Sequence, residues 1–138
     1  MIEKRVPDGA GLWVPYIASC AVVGTMTGSQ TWVASGPFSG CEFVVGKNKR
    51  AGVVYAAHLA RDGNDSAVKK AYNDYRNAND LSEWYWNRIP MPNAKAFSAS
   101  YVFVLCGGGG ILHMTRVDVD VTAMGGYEGT IKNVHKFK

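Results

Sequence analysis

The sequence lacks any apolar run of about 18 or more residues, the length that a membrane-spanning helix requires. Its start, MIEKRVPD, also lacks the apolar stretch of a Sec signal peptide. The three cysteines, Cys20, Cys41 and Cys106, cannot all pair and are too sparse for a disulfide scaffold. We therefore expect no classical signal peptide, no membrane partner and a reducing compartment, the cytosol of a bacterium or of a host cell.

The sequence also has only a small excess of positive over negative charge. The 15 Lys and Arg residues against 11 Asp and Glu residues give a formal net charge of +4. The basic residues are dispersed, and the densest group, residues 47–50, is as short as an ordinary solvated turn. The excess of positive charge is too weak to indicate that a nucleic-acid partner is required.

No internal repeat, low-complexity segment or long linker divides the chain, which predicts one domain over residues 1–138. A chain of this length can bury roughly two thirds of the surface that its unfolded form exposes. Since 47% of the residues are hydrophobic, a self-sufficient core is possible without disulfides or a bound metal.

Short β-branched and apolar runs dominate the sequence and predict strands at 16–25, 31–35, 41–45, 51–59, 99–106, 111–122 and 129–135. One helix is predicted over residues 66–77, with Asp65 as its N-cap and Ala67, Ala71 and Tyr75 on one stripe. A shorter helical piece is predicted from Asp80 or Leu81 to Arg88, stopped by Pro90 and Pro92. We therefore expect an α+β fold, a strand-rich two-sheet β-sandwich with one or two helices packed outside.

The segment from Cys41 to His58 contains a candidate catalytic pair. Two apolar strands flank a polar turn, and a hairpin closing symmetrically around Lys49 and Arg50 places Cys41 directly opposite His58. Directly opposed residues have Cβ atoms ~4.5–5.5 Å apart, so a thiol and an imidazole there can form a hydrogen bond. A protonated imidazole favours the thiolate, and the same ring can donate a proton to a leaving group.

Residues upstream of the cysteine add to this pattern. The Ser39-Gly40 bend leaves room for a substrate, and the backbone N–H groups of Gly40 and Cys41 are candidates for stabilising an oxyanion. Ser35, across the Gly36-Pro37 bend, is a candidate third residue that holds the tautomer of His58. The alternative stays open that Cys41 is a small buried hydrophobic residue and His58 a structural one.

At these residues the sequence resembles the cysteine glutamine deamidases, the superfamily of the chemoreceptor deamidase CheD, the catalytic domain of cytotoxic necrotizing factor and Burkholderia lethal factor. The Leu-Ser-Gly-Cys motif of the toxins is matched by Phe38-Ser39-Gly40-Cys41, followed by a strand, a short turn and a strand ending in Ala57-His58-Leu59. The resemblance implies Cys41 as nucleophile and His58 as its base. It implies for Ser35 the role of a Thr that orients the His in this superfamily, and Ser for Thr and Phe38 for Leu are departures from its pattern.

The resemblance also implies the fold of the superfamily and the activity of a protein-glutamine deamidase, with no metal or other cofactor. Its toxins act in host cells on glutamines of small GTPases or of a translation factor. We therefore expect a monomeric bacterial toxin or effector, secreted or injected into the host cytoplasm, with a protein substrate of this kind.

Several alternatives remain open. One is a CheD-like chemoreceptor deamidase in the bacterial cytoplasm. Another is a cysteine peptidase or transglutaminase that uses the same pair of residues, and a third is a non-enzymatic β-rich binding or immunity module.

Three other patterns are weaker. The glycines at 107–110 predict a hairpin turn, because no Gly-Lys-Ser/Thr follows them as in a phosphate-binding loop. Cys106 and His113, even with Cys41 and His58, match no zinc-ligand spacing, so no metal site is expected. The adjacent aromatics at 84–86 are expected to cover the core, with partner binding as the less favoured interpretation.

Overall fold

A computed structural model describes residues 1–90, 98–107, 110–121 and 129–136 of the chain. The elements in chain order are β1 (Ile2–Arg5), β2 (Gly11–Pro15), β3 (Ala21–Thr25), β4 (Trp32–Phe38), β5 (Glu42–Asn48), β6 (Val53–Leu59), α1 (Asp65–Asn79), β7 (Leu81–Arg88), β8 (Ser98–Gly107), β9 (Gly110–Val121) and β10 (Gly129–Lys136). The predicted strand-rich α+β class with two sheets is confirmed.

The strands form two five-stranded sheets. Sheet A has the order β1-β3-β6-β5-β7, and sheet B has the order β10-β9-β8-β4-β2. Both sheets are mixed, because β1 runs parallel to β3 and β2 runs parallel to β4, whereas the other neighbours are antiparallel.

The main core lies between the two sheets. Alternate residues of each strand point inward and pack into one buried cluster, which includes Val22, Phe43, Val45, Val54 and Ala56 from sheet A and Leu12, Val14, Val33, Val102 and Val104 from sheet B. Two sheets whose inner faces share one core form a sandwich.

Helix α1 packs on the outer face of sheet A. Val68 and Tyr72 are its buried residues, and the Tyr72 hydroxyl lies 2.7 Å from that of Tyr55 on β6. The buried stripe is therefore rotated by one residue from the predicted one, and Ala67 is exposed. No helix in the described ranges is long and apolar enough to cross a membrane.

The prediction of a second helical piece is wrong. Residues Leu81–Arg88 form β7, which pairs antiparallel with β5 at the edge of sheet A. Asp80 takes a left-handed conformation with φ 56° and ends α1 just before this strand. The aromatic residues then alternate between two faces, with Tyr85 against the inter-sheet core and Trp86 against the α1 side, an arrangement that suits a strand.

The predicted strand boundaries are wrong near the start of the chain. The strand predicted over residues 16–25 begins at Ala21, and the two short strands β1 and β2 were not predicted. Both are only four or five residues long and are held by parallel pairing with distant strands, so local sequence gives little signal for them. Gly107 pairs with Gly110 as a tight hairpin requires, while Gly108, Gly109, Pro92 and Thr122 lie outside the described residues.

The outer face of sheet B is aromatic. Trp13, Trp32 and Phe103 are each between 39% and 47% exposed there. The Trp32 indole lies so close to Gly11 that a Cβ at that position would overlap it. The Trp32 ring thus lies on the backbone of Gly11 and covers part of this face.

Candidate active site

The hairpin that links the candidate nucleophile to the candidate base has a different register from the predicted one. Phe43, and not Cys41, is the direct partner of His58. The strands close through residues 49–52, where Gly52 has φ 70° and its N–H donates to the Asn48 carbonyl at 2.8 Å. The predicted two-residue loop would instead require positive φ at Lys49 or at both Lys49 and Arg50, which these side chains disfavour.

The observed register differs from the predicted one by two residues, so the side chains of Cys41 and His58 still lie on the same face of the sheet. Cys41 precedes β5, packs in the inter-sheet core and is a diagonal neighbour of His58. Diagonal neighbours are roughly 7–8 Å apart, farther than direct partners. Accordingly, the Nε2 atom of His58 has no hydrogen-bond partner within the described part of the chain. Catalytic hydrogen bonds often shorten only when a substrate binds, so this separation is compatible with catalysis.

The contact predicted between Ser35 and His58 is present. The Ser35 Oγ atom lies 2.9 Å from His58 Nδ1 and donates its proton to the Val14 carbonyl at 2.6 Å. A hydroxyl has one proton, so Ser35 must accept the hydrogen bond from an Nδ1–H group. The tautomer is thereby set, and the lone pair of His58 is on Nε2, the nitrogen that a general base would use.

Burial keeps His58 neutral. Its side chain is fully buried between the sheets, and the Phe38 ring stacks on it with 4.2 Å between centroids and an interplanar angle of 5°. The Tyr16 ring contacts it at a tilt, with 5.9 Å between centroids. Burial lowers the pKa of His58 to about 3, so at neutral pH the imidazole is an unprotonated base.

The Cys41 sulfur is also neutral at rest. Burial raises the pKa of the Cys41 thiol, a hydrogen bond from the backbone N–H of Arg61 lowers it, and the carboxylate of Asp62 raises it again. The net shift is upward. The expectation that an imidazolium stabilises a Cys41 thiolate is therefore wrong for the resting protein. In this state the thiol can lose its proton only as it attacks, with His58 as the acceptor.

Only one of the two predicted oxyanion donors is available. The Gly40 N–H donates to the Ile89 carbonyl at 2.9 Å, and the Ile89 N–H donates to the Cys41 carbonyl at 2.9 Å. Two residues thus oppose one, a β-bulge in which Gly40 has φ 127°. The prediction for Gly40 is wrong because its N–H is already bonded. The Cys41 N–H has no backbone acceptor among the described residues and remains the candidate donor.

A cleft of about 260 Å³ opens at Cys41. It is lined by Tyr16, Pro37, Ser39, Cys41, Arg61 and Asp62. The Tyr16 hydroxyl donates to Asp62 Oδ2 at 2.9 Å, which ties the chain after β2 to the chain after β6. Sequence reasoning missed Tyr16 and Asp62, since the first lies far from the motif and the second had only the pattern of a turn.

The weaker candidates lie elsewhere. Cys106 borders a separate cavity of about 170 Å³, with Met26 and Gln30 among its lining residues, and burial raises the pKa of its thiol to about 11. His113 is exposed on β9. The described residues contain no group of three or more His, Cys, Asp or Glu side chains that could hold a metal ion.

The chain was also compared with known proteins. No protein-family model, no curated protein and no solved structure matches it significantly.

Proposed function

We propose that the chain is a protein-glutamine deamidase in which Cys41 is the nucleophile, His58 the general base and Ser35 the residue that orients the base. The observation that carries the proposal is the hydrogen-bond chain from His58 Nδ1 through Ser35 to the Val14 carbonyl. It leaves the Nε2 lone pair on the imidazole of a residue that shares a sheet face with a cleft-lining cysteine. The buried Nε2 atom has no hydrogen-bond partner among the described residues, so it is free to accept a proton.

The reaction would proceed in two stages, formation of a thioester on Cys41 and its hydrolysis. The Cys41 sulfur attacks the carboxamide carbon of a glutamine side chain while its proton passes to His58 Nε2. The Cys41 N–H donates to the resulting oxyanion, and the imidazolium then protonates the leaving nitrogen, which departs as ammonia. Water, deprotonated by the same ring, hydrolyses the thioester to glutamate and restores the thiol.

The wider proposal extends the resemblance of the Phe38–Cys41 motif. Two mixed sheets with one outer helix are the coarse layout, and a cytotoxic-necrotizing-factor or CheD-like arrangement is the finer fold that we propose. We propose a monomeric bacterial toxin or effector that acts without a cofactor in the host cytoplasm. Its substrate would be a host protein, such as a small GTPase or a translation factor.

A mass-spectrometric screen of host lysate tests the activity. The wild-type protein should convert specific glutamines to glutamate, with a gain of about one dalton and release of ammonia, and Cys41→Ser should do neither. Cys106→Ser is the matched control, because Cys106 lies at a different cavity, and it should retain the activity. Conversion by Cys41→Ser at the wild-type rate would refute the role of Cys41.

The same screen separates the enzymatic alternatives. A peptidase would shorten proteins, and a transglutaminase would attach an added amine at the same glutamines.

One observation favours a non-enzymatic binding or immunity module instead. Cys41 is only 7% exposed, and the described structure shows no hydrogen bond between it and His58 Nε2. Under this alternative the wild-type protein would leave every glutamine of the lysate unchanged. The thiol would then be a core residue, and Ser35 and His58 would serve only to satisfy each other across the sandwich.

A further inference from the structure

Asp62 presents a carboxylate to the same cleft as Cys41. The chain carries it there after β6, where the Ser19 hydroxyl and the backbone N–H of Asp62 itself also favour the ionised carboxylate. The Tyr16 hydroxyl and the Ser19 N–H donate to it, each at 2.9 Å. Both of these bonds end on Oδ2, so the second oxygen, Oδ1, receives neither of them. The Ser19 N–H, followed by the Tyr16 hydroxyl, lowers the pKa of the Asp62 carboxyl, which is therefore ionised at neutral pH.

The neighbouring cation, Arg61, forms its ion pairs with residues outside the cleft. Arg61 also lines the cleft, but its guanidinium lies 3.1 Å from the carboxylate of Asp65 and 4.0 Å from that of Glu42. The charge of Arg61 is thus shared with two acidic groups that do not line the cleft. The net field next to Cys41 is negative, because the carboxylates of Asp62 and Asp65 raise the pKa of the thiol and the charge of Arg61, which lowers it, has the smallest effect of the three.

We propose that Asp62 is a specificity-determining residue that makes the Cys41 cleft accept a carboxamide and reject a carboxylate. The side chains of glutamine and glutamate have nearly the same shape and differ in one group, an NH2 that donates hydrogen bonds or an oxygen that carries charge. Asp62 Oδ1 accepts a hydrogen bond from the NH2 group. The same oxygen repels a carboxylate, since two like charges at close range disfavour each other.

This selectivity would affect both the binding of substrate and the release of product, and it rests on the proposed deamidase function. Substrate glutamine is drawn into the cleft with its nitrogen toward Asp62. Product glutamate is ionised as it forms, and the same carboxylate expels it. The cleft therefore does not refill with product, even where glutamate is more abundant than the target glutamine.

Two alkylating reagents of matched shape test this without knowledge of the protein substrate. Iodoacetamide brings a carboxamide to the thiol and iodoacetate brings a carboxylate. The ratio of their rate constants at Cys41, measured by peptide mapping, is compared between the native protein and the same protein unfolded in urea. We expect the native ratio to exceed the unfolded ratio by about tenfold, the effect of roughly one like-charge repulsion near a protein surface.

Three variants locate the effect. Asp62→Asn should bring the ratio to within about twofold of the unfolded value, mainly because iodoacetate reacts faster. Asp74→Asn removes the same charge from an exposed helix residue that neither lines the cleft nor pairs with Arg61, and it should keep the wild-type ratio. Tyr16→Phe removes one hydrogen bond to Asp62 but keeps the carboxylate, so it should also retain the preference for iodoacetamide.

Three results would overturn the proposal: equal ratios in the wild type and Asp62→Asn, an equal loss of preference in Asp74→Asn, or a native Cys41 that reacts with neither reagent. This test and the lysate screen fail independently. Loss of the preference with deamidation intact would reject Asp62 alone, whereas a clear preference without deamidation would reject the deamidase and keep a carboxamide-selective cleft.

Discussion

The Phe38 ring lies parallel to the imidazole of His58, with 4.2 Å between their centroids. The contact joins β4 of sheet B to β6 of sheet A and covers one face of the candidate base with an apolar surface. It explains in part why His58 stays neutral, because the ring excludes the water that would hydrate an imidazolium. Phe38 thus has a structural role at the candidate site.

Removing the Ser35 hydroxyl should impair His58 without moving it. In Ser35→Ala the Nδ1–H loses its acceptor and the Val14 carbonyl loses its donor, which should lower the free energy of unfolding by about 1–3 kcal/mol. The tautomer would no longer be set, and we expect glutamine conversion to fall by about 10- to 100-fold. Nitrogen NMR of the ring should show a mixture of tautomers in place of one.

Ser35→Thr is the matched control, since it keeps the hydroxyl that accepts from His58 Nδ1. It should retain one tautomer and most of the activity. A single Nδ1–H tautomer in Ser35→Ala would contradict the orienting role.

The stability of the protein should depend on the protonation of His58. The folded pKa of about 3 lies below the ordinary value of 6.5, so between these two pH values the unfolded chain binds a proton that the folded chain does not. The contribution of His58 is therefore complete above pH 6.5. It is lost on acidification, at about 1.4 kcal/mol for each pH unit, until the pH reaches the folded pKa.

Urea denaturation at several pH values between 7.5 and 4 measures this slope, and His58→Gln isolates it. The variant lacks the imidazole, so its stability should fall less steeply over the same interval, although other acidic groups act in both proteins. Parallel slopes for the two proteins would mean that His58 accepts its proton in the folded state as easily as in the unfolded one.

The pH dependence of Cys41 alkylation distinguishes a neutral pair from an ion pair. With the thiol pKa raised by burial, the rate of reaction with iodoacetamide should keep increasing above pH 9. A thiolate held by an imidazolium would instead give a rate that is already constant near neutral pH.

Cys106 provides an internal comparison in the same experiment. Burial raises the pKa of its thiol to about 11, without the backbone N–H that lowers the pKa of the Cys41 thiol, so it should react more slowly than Cys41 at every pH below that value. A plateau for Cys41 near pH 7 would show that the resting protein contains the ion pair after all.

The sequence predicted the parts of this fold that depend on local pattern. The strand class, helix α1 and the common face of Cys41 and His58 follow from alternation and turn residues. Helix α1 also begins and ends within two residues of its predicted bounds.

The hairpin register could not be predicted from the sequence, because it depends on whether Gly52 or the Lys49-Arg50 pair takes positive φ. The local sequence predicts a helix for the aromatic residues at 84–86, but the long-range pairing of β7 with β5 overrides this local preference. Asp62 and Tyr16 meet only in three dimensions, so no spacing in the sequence could bring them together.

Ser35 comes from sheet B and His58 from sheet A, so the bond between them spans the thickness of the sandwich. The geometry of the site therefore depends on the distance between the two sheets. A separation of about one ångström would break the alignment of the base while every strand stayed paired within its own sheet. Mild heat, pressure or a mutation deep in the core should thus switch off the chemistry well before the protein unfolds.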